Sequence, residues 1–72
     1  MSRLSDPQIQ PTFVLLGGAE LPGQPISATD YDAWKVNFEG ALSEGKLFDG
    51  LEDTTLDLVP GNVLYVRWAP YN

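Results

Sequence analysis

The side chains that could carry chemistry in this 72-residue chain are carboxylates, because the sequence contains no cysteine and no histidine. Without a thiolate or an imidazole, the usual nucleophile–base pairs and the usual zinc ligands are missing. Ten aspartates and glutamates stand against four lysines and arginines, which gives a formal net charge of −6. A carboxylate pair or an all-oxygen metal site is the chemistry left to consider.

Four acidic residues, Asp49, Glu52, Asp53 and Asp57, lie close together and have the oxygen ligands that calcium and magnesium prefer. Their spacing lacks the D-x-[DN]-x-[DN]-G order of an EF-hand loop, so we predict no metal site. A glycosidase needs two carboxylates on either side of a sugar cleft, which a domain of this size rarely encloses. We therefore expect no enzymatic activity, no cofactor and no small-molecule substrate.

The acidic charge balance limits the binding partners of the chain. Nucleic acids and anionic lipids attract clustered lysine and arginine, whereas the four bases here are scattered, so we expect neither partner. One hypothesis is a phage-type inhibitor whose carboxylates imitate the phosphates of a nucleic acid. The residues of this predicted acidic surface are Asp30, Asp32, Glu39, Glu44, Glu52, Asp53 and Asp57.

The elements that position these side chains begin with an apolar run at residues 12–16, whose aromatic and β-branched composition predicts a central strand. Two glycines follow and predict a tight turn with positive φ, after which residues 19–21 can pair back as a short strand. Residues 1–11 contain two prolines and no regular apolar spacing. We expect an extended or flexible N-terminal arm at 1–11 and a single domain at 12–72.

A helix is predicted over residues 29–44. Thr29 fits its N-terminal cap, and Gly45 fits the left-handed residue that ends a helix. Gly40 costs the helix about 1 kcal/mol relative to alanine, and we interpret it as a close packing contact. Apolar side chains recur at steps of three and four and therefore share one face of the helix. That face consists of Tyr31, Trp34, Phe38, Ala41 and Leu42.

A β-hairpin is predicted after the helix. Residues 54–59 alternate between polar and apolar side chains, Pro60–Asn62 has turn composition, and residues 63–69 return before Pro70 ends the strand. Alternation assigns one face of this hairpin to the core. The residues assigned to the core face are Leu56, Leu58, Leu64, Val66 and Trp68.

The outer face of the predicted hairpin has the composition of a binding patch, since it combines apolar side chains with a tyrosine and an arginine. A chain of this length gains only marginal stability from its own core, and association adds to it. We therefore predict a non-catalytic protein-interaction module that binds a second copy or another protein. The residues predicted to make this contact are Val59, Val63, Tyr65 and Arg67.

Together these elements predict a small two-layer α+β domain, in which one helix packs on a three- or four-stranded, mainly antiparallel sheet. The order β(β)αββ resembles a β-grasp layout. The run Leu-Asp-Leu-Val-Pro followed by Val-Leu-Tyr-Val resembles small domains of actinobacteria and their phages. Neither resemblance assigns a role to a residue.

The sequence has no targeting signal that we recognise. No apolar run approaches the roughly 20 residues that span a bilayer, and no apolar segment follows a basic start. We expect a soluble, cytoplasmic protein of a bacterium or a phage. A further alternative is a structural accessory protein of a larger particle, in which the N-terminal arm joins subunits.

Overall fold

A computed structural model of the protein describes residues 7–71. One helix packs on a four-stranded antiparallel sheet, which confirms the predicted small α+β domain. The helix, α1, covers Tyr31–Glu44, and 3₁₀ turns lie at Ala28–Asp30 and Pro60–Asn62. The strands are β1 (Gln8–Leu15), β2 (Glu20–Pro22), β3 (Ile26–Ser27) and β4 (Val63–Tyr71).

Strand β1 lies in the centre of the sheet, as its continuous apolar run predicted. β4 pairs with it along its whole length, and β2 and β3 lie one after the other along its opposite edge. The strand begins at Gln8, earlier than the predicted residues 12–16, because β3 and β4 flank this part on both edges. Part of the predicted arm is therefore strand, and residues 1–6 lie outside the described residues.

The prediction that residues 54–59 form a hairpin with β4 was wrong. Residues 54–59 form a turn and a single bridge, in which Phe48 lies opposite Leu58, and β4 pairs with β1 instead. Leu58 is 3% exposed but Leu56 is 44% exposed, so the two leucines do not share a buried sheet face. Residues 54–59 are therefore a loop that the buried Leu58 anchors to the core, and their alternation does not indicate a strand.

The tight turn predicted at the glycine pair is confirmed and joins β1 to β2. Gly17 and Gly18 have φ values of 94° and 96°, which residues with a side chain rarely adopt. The N–H of Leu15 donates to the carbonyl oxygen of Ala19 at 2.8 Å and closes the turn. The local hairpin of this fold therefore lies at its N-terminal end.

The predicted helix is also confirmed, but Thr29 does not cap it. Ser27 caps the 3₁₀ turn that precedes α1, because its Oγ accepts a hydrogen bond from the Thr29 N–H at 3.3 Å, and the N-cap residue of α1, Asp30, makes no side-chain cap hydrogen bond. Gly45 ends α1 with a φ of 69°. Its N–H donates to the carbonyl oxygens of Ala41 and Leu42, which satisfies two groups that the helix end leaves free.

The core lies between α1 and the inner face of the sheet. Phe13 is its central residue and has no exposed surface. The Phe13 ring centroid lies 5.9 Å from those of Trp34 and Phe38 on α1, and 6.1 Å from that of Phe48. Leu42, which was predicted on the same helix face, is exposed. The helix thus contacts the sheet mainly through large rings.

The loop between α1 and β4 closes one edge of this core. Leu51 of the loop is buried against the central rings. The N–H of Gln24 donates to the Gly50 carbonyl oxygen at 2.8 Å, and the N–H of Glu52 donates to the Pro22 carbonyl oxygen at 3.0 Å. These bonds attach the loop to the strand edge beside β2.

A β-bulge in β4 changes which of its residues face the core. Val14 pairs with Tyr65 and Leu15 pairs with Val63, which leaves Leu64 as the extra residue. Val63 therefore packs against the core and Leu64 is exposed, the reverse of the predicted assignment. The alternation predicted for the rest of the strand holds beyond the bulge.

Candidate functional site

The sheet face turned away from α1 carries several exposed side chains, and we call it the open face. Directly paired residues of antiparallel strands point to the same side, so Thr12 and Val14 of β1 lie beside Arg67 and Tyr65 of β4. The Tyr65 side chain is 51% exposed, and Tyr71 is exposed as well. The open face is defined by Thr12, Val14, Glu20, Tyr65, Arg67 and Tyr71.

An ion pair crosses the open face from one edge of the sheet to the other. Arg67 Nη2 on β4 donates to Glu20 Oε1 on β2 at 3.2 Å, across the central strand. The hydrogen bond from Arg67 to Glu20, and then the attraction between their charges, raise the pKa of Arg67. Both side chains are about half exposed, so water screens the pair and it contributes little to stability.

Two of the four predicted contact residues, Tyr65 and Arg67, lie together on the open face. The predicted place of the other two on an outer hairpin face was wrong. Val63 turns to the core because of the bulge, and Val59 lies in the loop before the 3₁₀ turn. The further members of the open face lie on β1, on β2 and at the end of β4.

Tyr71 is not among the predicted contact residues, because Pro70 was predicted to end the strand. β4 continues to Tyr71, and within residues 7–71 it pairs with β1 alone. Proline lacks an N–H and is tolerated on such an edge strand. Tyr65, Arg67 and Tyr71 are separated by even numbers of residues, so alternation along a longer strand places Tyr71 on the same face.

The predicted acidic residues of α1 do not lie on one side of the helix. Asp32 and Glu39 are seven residues apart and share a side, whereas Glu44 is rotated roughly 140° from Glu39 around the axis. Glu44 also pairs with Lys46, whose Nζ lies 2.9 Å from its carboxylate. Asp30 precedes α1 as its N-cap residue. These four carboxylates form no single row.

The other three predicted acids, Glu52, Asp53 and Asp57, lie in the loop after α1. Glu52 accepts a hydrogen bond from Gln10 Nε2 at 3.3 Å, and Asp53 Oδ1 accepts from the hydroxyl and the N–H of Thr55 at 2.6 and 3.0 Å. The hydrogen bonds from Thr55, the hydroxyl first, lower the pKa of Asp53. No group of three acids in the described part of the chain could hold a metal ion.

A groove of about 520 Å³ lies between α1 and residues 46–50 and is open to solvent. Gly40 and Asn37 of α1 line one wall, and Leu47 lines the other. Apart from the helix's own turns, nothing lies within 4 Å of the position that a Cβ of Gly40 would take. The packing contact predicted for Gly40 was therefore wrong.

A smaller cavity of about 210 Å³ lies between α1 and β4, and we call it the aromatic pocket. The two β4 residues in its lining, Val66 and Trp68, confirm the predicted inward face of the strand. All of its rings are partly buried. The aromatic pocket is lined by Tyr31, Trp34, Lys35, Phe38, Glu39, Val66 and Trp68.

Comparisons of the chain with protein-family models, with curated proteins and with solved structures found no match. Within residues 7–71, the one α-helix is too short and too polar to cross a membrane. The open face and the aromatic pocket are therefore interpreted from their own chemistry.

Proposed function

We propose that the protein is a small, acidic, non-catalytic interaction module that binds a second copy of itself through the open face. The observation that supports this proposal is the half-exposed Tyr65 beside an ion pair, on a sheet face that α1 leaves uncovered. Tyrosine and arginine are enriched at protein interfaces, because each buries a large apolar surface and keeps a hydrogen-bonding group.

The distribution of charge favours this face for contact between two copies. Molecules with a net charge of −6 repel one another, so a self-contact is most favourable where carboxylates are few. Glu20 is the single acidic residue of the four strands, and Arg67 already pairs with it. Every other acidic residue within 7–71 belongs to α1, to the 3₁₀ turn before it or to the loop after it.

The ion pair also suits a two-fold contact. In a symmetric dimer one patch meets the same patch of the partner, so each type of side chain must find a complement within that patch. Arg67 of one copy can bind Glu20 of the other, which keeps both charges paired while the tyrosine rings leave water. The open face is thus complementary to itself.

The first experiment compares Tyr65→Glu with Val36→Glu by sedimentation velocity over a concentration series. Both variants replace an exposed apolar side chain with a carboxylate, at 51% and 67% exposure, but Val36 lies on α1. We expect wild type and Val36→Glu to form dimers and Tyr65→Glu to stay monomeric. A wild type that stays monomeric at every concentration overturns the proposal, and so does equal loss of dimer in both variants.

The second experiment tests the exchanged ion pair with Arg67→Glu and Glu20→Arg. Each variant alone places two like charges opposite each other in a symmetric dimer, so we expect both to be monomeric. When the two are mixed, every exchanged pair is again one carboxylate and one guanidinium, and we expect association to return. If the mixture stays monomeric, the ion pair does not cross between copies.

A further inference from the structure

Trp68 meets two rings of the aromatic pocket nearly at right angles, whereas Trp34 and Phe38 stack with their ring planes 6° apart. The centroids of Trp34 and Trp68 are 4.8 Å apart with ring planes at 83°, and those of Tyr31 and Trp68 are 5.1 Å apart at 76°. The cavity between α1 and β4 therefore has walls in more than one plane. Each wall offers the electron-rich face or the edge of an aromatic ring.

A cation already lies over one of these rings. The Nζ of Lys35 is 5.5 Å from the centroid of the Tyr31 ring, within the range of cation–π attraction. Glu39, one helical turn beyond Lys35, adds a carboxylate to the lining, and the whole molecule carries a net charge of −6. The ring faces and Glu39 attract a cation, and Lys35 is the charge that a cationic guest must displace.

The few hydrogen-bond acceptors in the pocket lining indicate which type of cation fits. The Tyr31 hydroxyl and the Glu39 carboxylate are the side-chain acceptors among the lining residues. A lysine ammonium has three N–H donors and an arginine has five, and each donor loses free energy if it leaves water without an acceptor. A trimethylammonium group has no N–H donor, so it enters an aromatic cavity without this loss.

The strand beside the pocket indicates where such a group comes from. Val66 and Trp68 line the pocket from β4, and within the described residues the other edge of this nine-residue strand pairs with no strand. An extended peptide can add to a free edge through backbone hydrogen bonds and place alternate side chains into adjoining cavities. A side chain of such a peptide reaches a pocket formed by the same strand.

We infer that the aromatic pocket binds the trimethylammonium group of a methylated lysine on an extended peptide that pairs with the free edge of β4. This site is separate from the open face, which lies on the opposite side of the sheet. Trp68 supplies one wall and Tyr31 another, and Glu39 attracts the charge. Lys35 competes with the guest for the Tyr31 ring.

The direct test uses three pentapeptides that differ only at the central side chain. One carries trimethyllysine, one carries unmodified lysine, and one carries the neutral isostere in which a carbon atom replaces the charged nitrogen. Binding is followed by the indole N–H resonances of Trp34 and Trp68 in ¹H–¹⁵N spectra. We expect saturable binding of the trimethyllysine peptide, and about fivefold weaker binding of both other peptides. Equal affinity for trimethyllysine and its isostere, or no saturable shift, overturns the inference.

Two charge variants test the role assigned to Lys35. Lys35→Gln removes the competing cation, and we expect it to tighten trimethyllysine binding about twofold to fivefold. Lys46→Gln removes the same charge from an exposed residue that pairs with Glu44, and serves as the control for net charge. If both variants tighten binding equally, Lys35 does not occupy the guest's position and the pocket is not the site.

Two further variants separate this site from the open face. Trp68→Phe keeps an aromatic ring but weakens the cation–π contact, so we expect about threefold weaker binding while the thermal unfolding midpoint shows that the domain is folded. A free tetramethylammonium salt, which lacks a backbone, should bind more weakly than the peptide. Equal affinity would show that the edge of β4 takes no part in binding.

Tyr65→Glu, on the open face, should bind the trimethyllysine peptide as wild type does, whether or not the wild type dimerises.

Discussion

Phe13 and Val14 are neighbours in β1 and are both buried, yet they face opposite sides of the sheet and are covered in different ways. Phe13 is 0% exposed beneath the rings of Trp34, Phe38 and Phe48. Val14 is 6% exposed on the open face, where its register neighbours are Glu20 and the half-exposed Tyr65. One residue is held by apolar packing and the other is shielded by side chains that water also reaches.

Under the proposed function, one strand serves both the fold and a contact. Close-packed rings cannot move without opening a cavity, so the inner face is committed to stability. Exposed side chains in an ion pair exchange partners at little cost, so the open face can meet another molecule without unfolding. Substitutions on the two faces should therefore have unequal consequences.

The largest expected effect is the loss of Phe13. Phe13→Ala removes the central ring of the core and should lower the free energy of unfolding by about 3–5 kcal/mol. Val14→Ala removes two methyl groups and should cost about 1–2 kcal/mol. Urea unfolding of both variants in dilute solution measures the difference. Equal costs would mean that the two faces are packed alike.

The next effect concerns the space between β2 and the core. A Cβ at Gly23 would lie 2.6 Å from Pro11 Cγ and 2.8 Å from Phe13 Cε2. Gly23→Ala therefore overpacks the inner face, and we expect destabilisation of about 1–3 kcal/mol. Gly61→Ala is the matched control, because nothing lies within 4 Å of its Cβ position. If Gly23→Ala leaves the free energy of unfolding unchanged, the side chains around Gly23 move aside more readily than their packing indicates.

A smaller effect of opposite sign is expected at Gly40, in the helix that covers the inner face. The space around its Cβ position is open, so Gly40→Ala adds helix propensity without a clash and should stabilise the protein by about 1 kcal/mol. Thermal unfolding followed by circular dichroism measures the gain. Destabilisation would mean that the groove beside α1 is narrower in solution than its volume implies.

The smallest expected effect is the pH dependence that Asp53 adds to the loop over the core. Its folded-state pKa is lowered from the ordinary value of 3.8 by the bonds from Thr55, so its ionised form stabilises the fold above that pH. This contribution is lost as the pH falls below 3.8 and through the folded-state pKa. We expect the unfolding midpoints of wild type and Asp53→Asn to differ at neutral pH and to converge in acid. If the difference between the two midpoints does not change with pH, the ionisation of Asp53 does not stabilise the fold.

The parts of the fold that sequence predicted correctly depend on contacts between near neighbours. The helix follows from apolar side chains at steps of three and four, and the turn after β1 follows from Gly17 and Gly18, which accept positive φ. The inward Trp68 and outward Tyr65 follow from the alternation of one strand. None of these features needs a distant partner to be recognised.

The pairing of β4 was decided by packing between distant parts of the chain. Alternation along β4 assigns its side chains to two faces but does not indicate whether residues 54–59 or β1 is its partner. The bulge that exchanges Val63 and Leu64 arises within that pairing. No local pattern of residues contains this information.

In the candidate sites, too, local sequence predicted some features and long-range packing decided the others. Alternation along β4 was enough to place Tyr65 and Arg67 on one face, because side-chain direction in a strand is a local property. Glu20 approaches Arg67, and Trp68 approaches Tyr31, only when elements far apart in sequence pack together. Local sequence was thus sufficient for α1, for the turn after β1 and for the faces of β4 beyond its bulge. Long-range packing settled which faces meet, because burial of the aromatic rings is a property of the whole chain.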